Sequence, residues 1–131
     1  MNLATRLPHE PASVAEARAA LAPLEPAVDR ATIGTLRLLV SELVTNSVRH
    51  GRPCPSGEIE LSVQASPQTV RVEISDAGRG FAVRPRVAGQ DQGSGWGLYL
   101  VDALSNRWGT EHEGRTRIWF EIDHGPAASA A

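Results

Sequence analysis

The chain contains no lysine; all 13 of its cationic side chains are arginine. A Walker-type phosphate loop, which must close on Gly-Lys-Ser/Thr, is therefore excluded. There is one cysteine, Cys54, so no internal disulfide is available. It lies in a Pro-rich turn away from any base and reads as an ordinary thiol in a reducing compartment. Long apolar runs are also missing. No segment approaches the ~20 residues of a membrane span, and the first residues lack the basic-then-apolar pattern of a signal peptide, so the expectation is a cytoplasmic protein with no membrane partner. Excess charge of one sign is absent as well. A formal net charge of −2 leaves no basic stripe, which argues against direct nucleic-acid binding. His9, His112 and His124 have no metal-ligand spacing, and His50 reads as a helix-end residue.

At 131 residues the chain suits one core, expected as a single domain over 1–124 with a disordered tail over 125–131. Ser13-Val14-Ala15-Glu16 has the pattern of a capping box, opening a helix with Val14, Ala17 and Leu21 inward that stops at Pro23. A second helix is predicted from about Asp29 to His50, ended by Gly51 and Pro53. Strict alternation over Glu58 to Gln64, then over Val70 to Ile74 after a turn at Pro67-Gln68, predicts an antiparallel hairpin with one buried face. Residues 79–92 have no usable period and read as a mobile loop. A short helix from Gly97 to about Ser105 precedes a second hairpin, about Arg107 to His112 with Arg115 to Ile122. This pattern predicts an α+β two-layer sandwich, an antiparallel-rich mixed sheet covered on one face by helices. Trp108 and Trp119 read as core or sheet-face residues, and Trp96 as a lid anchor or partner contact.

Three clusters carry chemistry. On the second helix, at about 100° per residue, Glu42, Asn46 and Arg49 fall within a narrow arc, while Leu36, Val40, Leu43, Val44 and Ser47 form the packing stripe. A carboxylate, an amide and a guanidinium on one face suit Mg²⁺, a polarised hydroxyl and phosphate oxygens. Asp76-Ala77-Gly78-Arg79-Gly80 follows a strand. A carboxylate there can accept from an exocyclic amine, and the glycines permit close approach. Gly93-Ser94-Gly95-Trp96-Gly97 leads into Leu98-Tyr99-Leu100-Val101, and successive glycine-rich amides before a helix make an anion site. The spacing does not fit a dinucleotide fingerprint.

A Glu/Asn helix, then Asp-x-Gly-x-Gly, then Gly-x-Gly-x-Gly resembles the GHKL superfamily of gyrase, histidine kinases and MutL, whose nucleotide-binding domain is the Bergerat fold. The likeness runs from about Leu3 to Asp123. Ser41-Glu42-Leu43-Val44-Thr45-Asn46, Gly97-Leu98-Tyr99-Leu100-Val101-Asp102, Arg107-Trp108-Gly109 and Thr116 to Glu121 look most like stand-alone anti-sigma factor serine kinases and related ATP-binding regulators of actinobacterial type. The resemblance implies that Glu42 activates the attacking oxygen and that Asn46 holds Mg²⁺ bridging the phosphates of ATP. It further implies that Arg49 stands where relatives often carry a phosphate-facing lysine, and that Asp76 accepts from the adenine amine with Thr116 nearby through a water. Gly78 and Gly80 would hinge a lid formed by the 79–92 loop; Gly93, Gly95, Gly97 and the adjoining Leu98 would complete the ATP site. The function so implied is an Mg·ATP-dependent serine kinase that sequesters a sigma factor and phosphorylates an anti-anti-sigma antagonist, with homodimerisation common in such relatives. A non-catalytic module that controls its partner by nucleotide occupancy is the alternative. The catalytic half of a histidine kinase and a gyrase-like or MutL-like ATPase are disfavoured, since neither a dimerisation helix nor a transducer domain is evident.

Overall fold

The computed structural model describes residues 1–50, 58–76, 96–111 and 115–124, with the backbone alone at His50, Trp96 and Gly97. Gly78, Gly80, Gly93, Gly95, the expected lid over 79–92, Cys54, His112 and the expected tail over 125–131 lie outside these residues.

Period-two alternation builds the sheet. Strands β1 (Asn2–Leu7), β2 (Ile59–Ala65), β3 (Thr69–Asp76), β4 (Arg107–Glu111) and β5 (Thr116–Asp123) pair in the order β1-β2-β3-β5-β4. Each pairing is antiparallel. The α+β two-layer class stands, but among the described residues the sheet is antiparallel throughout rather than mixed. The physical reason lies in the connections: two hairpins meet through β3 and β5, and an antiparallel neighbour satisfies each ladder without a parallel crossover.

One face of the sheet is apolar. Ile59, Leu61, Val63, Val70, Val72, Ile74, Ile118, Phe120 and Ile122 are all buried there, and each large side chain so buried contributes about 1.5–3 kcal/mol. The helices α1 (Ala12–Ala19), α2 (Arg30–His50) and α3 (Trp96–Leu104) supply the facing layer, α2 lying against both α1 and α3. Its stripe of Leu36, Leu39, Val40, Leu43 and Val44 is wholly buried. Trp108 packs at the margin of this core and donates from Nε1 to Asp102 Oδ1 at 2.9 Å.

The opposite face is an ionic lattice. Arg71 pairs with Glu73 and Glu121, Arg107 with Glu121 and Asp123, and Arg117 with Glu73 and Glu111. Trp119 lies on this face with the Arg71 guanidinium 4.3 Å from its ring centroid, a cation–π contact.

One local expectation is corrected. Helix α1 starts at Ala12 with Pro11 in the N-cap place and no side-chain cap. Ser13 is buried, and its Oγ donates instead to the Pro8 carbonyl at 2.6 Å. The proline's fixed φ of −54° supplies the helical entry that the capping box was expected to provide. Strand β1, which alternation had not marked, joins the sheet edge. Helix α2 does carry a side-chain cap, since Asp29 Oδ2 accepts from the Thr32 amide at 3.3 Å and Oδ1 from its hydroxyl at 2.6 Å. Those bonds, the hydroxyl's foremost, hold the Asp29 carboxyl below its ordinary range.

Candidate functional site

The C-terminal half of α2 divides as its period requires. Leu43, Val44 and Ser47 are buried, Glu42 and Asn46 are half-buried, and Arg49 is exposed. The carboxylate, amide and guanidinium therefore sit along one edge of the packing stripe, clear of the core. Gly97 and Leu98 lie in the first turn of α3, where backbone N–H groups have no intrahelical partner and the helix dipole favours an anion. The Leu98 side chain itself belongs to the apolar core, at 5% exposure.

At the end of β3, pairing on both sides fixes Asp76. The register runs Leu7↔Ile59, Ile59↔Asp76 and Asp76↔Thr116, a row across four strands. Asp76 has no exposed surface and Thr116 is 2% exposed. A carboxylate removed from water needs compensation, because an uncompensated buried charge costs several kcal/mol. His9 supplies part of it. Two residues beyond the buried end of β1, its Nε2 lies 3.0 Å from Asp76 Oδ2, with side-chain exposures of 4% and 0%. The composition of the chain had offered His9 no role, and no local signal could have. Its partner is 67 positions away, and the pairing becomes visible only once β1 is laid beside β2.

Among the buried polar atoms with no hydrogen-bond partner among the described residues are His9 Nδ1 and Ser47 Oγ. Buried orphans of this kind mark places where a ligand or water completes the bonding. Among the described residues no three His, Cys, Asp or Glu side chains gather to hold a metal. A divalent cation held by the Asn46 amide oxygen would depend chiefly on phosphate and water for its other positions, a mode that suits Mg²⁺.

Asp76, Thr116 and His9 are thus gathered at one sheet end, while Glu42, Asn46 and Arg49 share one face of α2, which packs against β3. The expected glycine contacts at Gly78, Gly80, Gly93 and Gly95 fall on residues that are not described. No described helix is long and apolar enough to cross a membrane.

Comparison with known proteins shows the family of the fold. Residues 7–122 match the family model of the histidine kinase-like ATPase domain. The anti-sigma F factor of Clostridium botulinum (strain Eklund 17B / Type B) is 39% identical over 68 residues, 51% of this chain and 46% of that protein. The Erythrobacter litoralis EL346 blue-light activated histidine kinase superposes with a TM-score of 0.59 at 27% identity, covering 78% of this chain and 33% of that one. The histidine kinase domain from the same protein gives a TM-score of 0.56 at 26% identity, covering 75% and 47%. The matched part is less than half the length of each of these relatives.

Proposed function

Because this chain belongs to the histidine kinase-like ATPase domain family, we propose that it is an Mg·ATP-dependent serine protein kinase and anti-sigma factor that sequesters a sigma factor and phosphorylates an anti-anti-sigma antagonist. The observation that carries the nucleotide part is Asp76, a wholly buried carboxylate beside buried Thr116 at a strand end. A fixed acceptor in a water-poor site selects a base bearing an amine, and adenine has one. The protein-partner part draws on the likeness to an anti-sigma F factor. On this reading residues 1–124 form one ATP-binding domain.

The chemistry asked of the residues is modest. Glu42, half-buried on α2, accepts the proton of the attacking serine hydroxyl. The serine oxygen bonds to the γ-phosphorus, the bond between that phosphorus and the β–γ bridging oxygen breaks, and ADP departs. Asn46 would hold Mg²⁺, which neutralises phosphate charge when bound. Arg49 and the amides of Gly93, Gly95 and Gly97 would bind phosphate oxygens, Gly78 and Gly80 would hinge the lid, and Leu98 anchors the turn that carries Gly97 to the core.

Calorimetric titration of ATP with and without Mg²⁺ tests the site. The unmodified protein is expected to bind in the micromolar range, Asp76→Asn to weaken binding at least tenfold, and Asn46→Ala to remove the Mg²⁺ dependence. Absence of ATP binding in the unmodified protein overturns the proposal. Glu42→Ala should retain ATP while transfer to a serine-bearing antagonist falls about 10²-fold to 10⁴-fold. If that variant still controls its partner while the unmodified protein transfers no phosphate, the protein works by nucleotide occupancy alone.

A further inference from the structure

We propose that His9 is the residue that sets base specificity, acting through Asp76; the inference rests on the reading of Asp76 as the acceptor for the base. Three observations carry it. The first is the contact itself, Nε2 to Oδ2 at 3.0 Å between two side chains almost wholly out of solvent. A carboxylate turns readily about its Cβ–Cγ bond, which is broad and roughly two-fold in its preference. A donor fixed on one oxygen restrains that rotation and so biases where the lone pairs point.

The second is the rigidity of the segment that bears His9. Pro8 and Pro11 flank it, each with φ locked by its ring. Within the turn Glu10 N–H donates to Pro8 O at 2.9 Å, Ser13 N–H to Glu10 O at 2.9 Å, and Ser13 Oγ to Pro8 O at 2.6 Å. An imidazole held on such a turn is placed before any ligand arrives.

The third is the unsatisfied Nδ1. With the proton on Nε2 donated to Asp76, Nδ1 is a bare acceptor, and it is buried with no partner among the described residues. Leaving such an atom unpaired is unfavourable, so it marks a place beside Asp76 where a ligand or water can complete the bonding.

The consequence is discrimination at purine position 6. A carboxylate locked toward the base accepts from a 6-amino group and repels a 6-oxo group, since two acceptors then face each other. A carboxylate freed to rotate, or reached by water, loses both the attraction and the repulsion.

The test is the ratio of ATP to ITP affinity, measured by calorimetry on the full chain. The unmodified protein should prefer ATP by about 10²-fold or more. His9→Ala should reduce that preference about tenfold. His9→Gln, whose amide nitrogen reaches the place of the imidazole Nε2, should restore most of it, and the shorter His9→Asn should not. A role confined to stability would weaken both nucleotides alike and leave the ratio unchanged. If Asp76→Asn collapses the ratio while His9→Ala and His9→Asn keep it within twofold of the unmodified value, the inference is wrong and the Asp76 reading survives. If Asp76→Asn also leaves the ratio intact, both fall. Should His9→Ala fail to fold, the difference between the Gln and Asn variants decides the matter.

Discussion

At the scale of single residues the tightest constraint lies on the ionic face, where Gly109 of β4 is directly opposite Trp119 of β5. A Cβ on Gly109 would stand 2.8 Å from Trp119 Nε1 and 2.9 Å from two ring carbons. The ring cannot simply swing aside, because Arg71 covers it and is itself bonded to Glu73 and Glu121. Gly109→Ala should therefore destabilise the fold by about 1–3 kcal/mol in denaturant unfolding. The penalty should fall to near zero in a Trp119→Ala background, since the two positions are directly coupled. An equal penalty in both backgrounds would refute the steric account. Single residues were also where the sequence was most and least informative. The shared face of Glu42, Asn46 and Arg49 followed from helical angle alone, whereas Trp108 and Trp119 read alike as core or sheet-face residues and only the structure divides them, Trp108 to the core margin and Trp119 to the ionic face. His9 was opaque because its meaning comes from a partner across three strands, and nothing next to it in the chain encodes that.

Whole elements follow the same division. Helix α2 was legible from its period, and the first hairpin from alternation on either side of Pro67-Gln68. Strand β1 was not, because an edge strand buries little: its pattern is largely exposed or half-exposed until Leu7, so the apolar signal is weak. The false capping box at Ser13 to Glu16 shows the converse. A correct local motif was overruled by Pro11 and by a hydroxyl already committed to Pro8. Helix α2 also carries a defect, Gly34, in its N-terminal half, where an added Cβ would meet nothing within 4 Å. Gly34→Ala should stabilise the protein by about 0.5–1 kcal/mol, since alanine has less backbone freedom to lose. That raises Tm by roughly 2–5 °C in a scanning thermal melt. A fall in Tm would mean that this face of α2 does not stand open as described.

For the whole molecule, the ionic face ties β3, β4 and β5 together and gives stability a pH and salt signature. Hydrogen bonds from Arg107 and then Arg71 hold the Glu121 carboxyl below its ordinary range, and Arg107 does the same for Asp123. A depressed carboxyl contributes stability above its unfolded value, roughly pH 4, and that contribution is lost as pH falls through the folded value. Arg107 is shifted upward and stays charged throughout, so it adds no acid transition of its own. Arg107→Gln should accordingly lower Tm at pH 7, with the gap to the unmodified protein closing below about pH 4 and narrowing in roughly 1 M salt. A gap independent of pH would assign the loss to packing. At the end of the sheet where β3 finishes, the position of Asp76 carries a different implication. Ladders on both sides fix its backbone, through Ile59 and Thr116, and His9 fixes its carboxylate, so little ordering entropy is left to lose when a base arrives. On the proposed reading, the choice between bases is then written in residence time: right and wrong nucleotides enter at similar rates, and the wrong one leaves sooner.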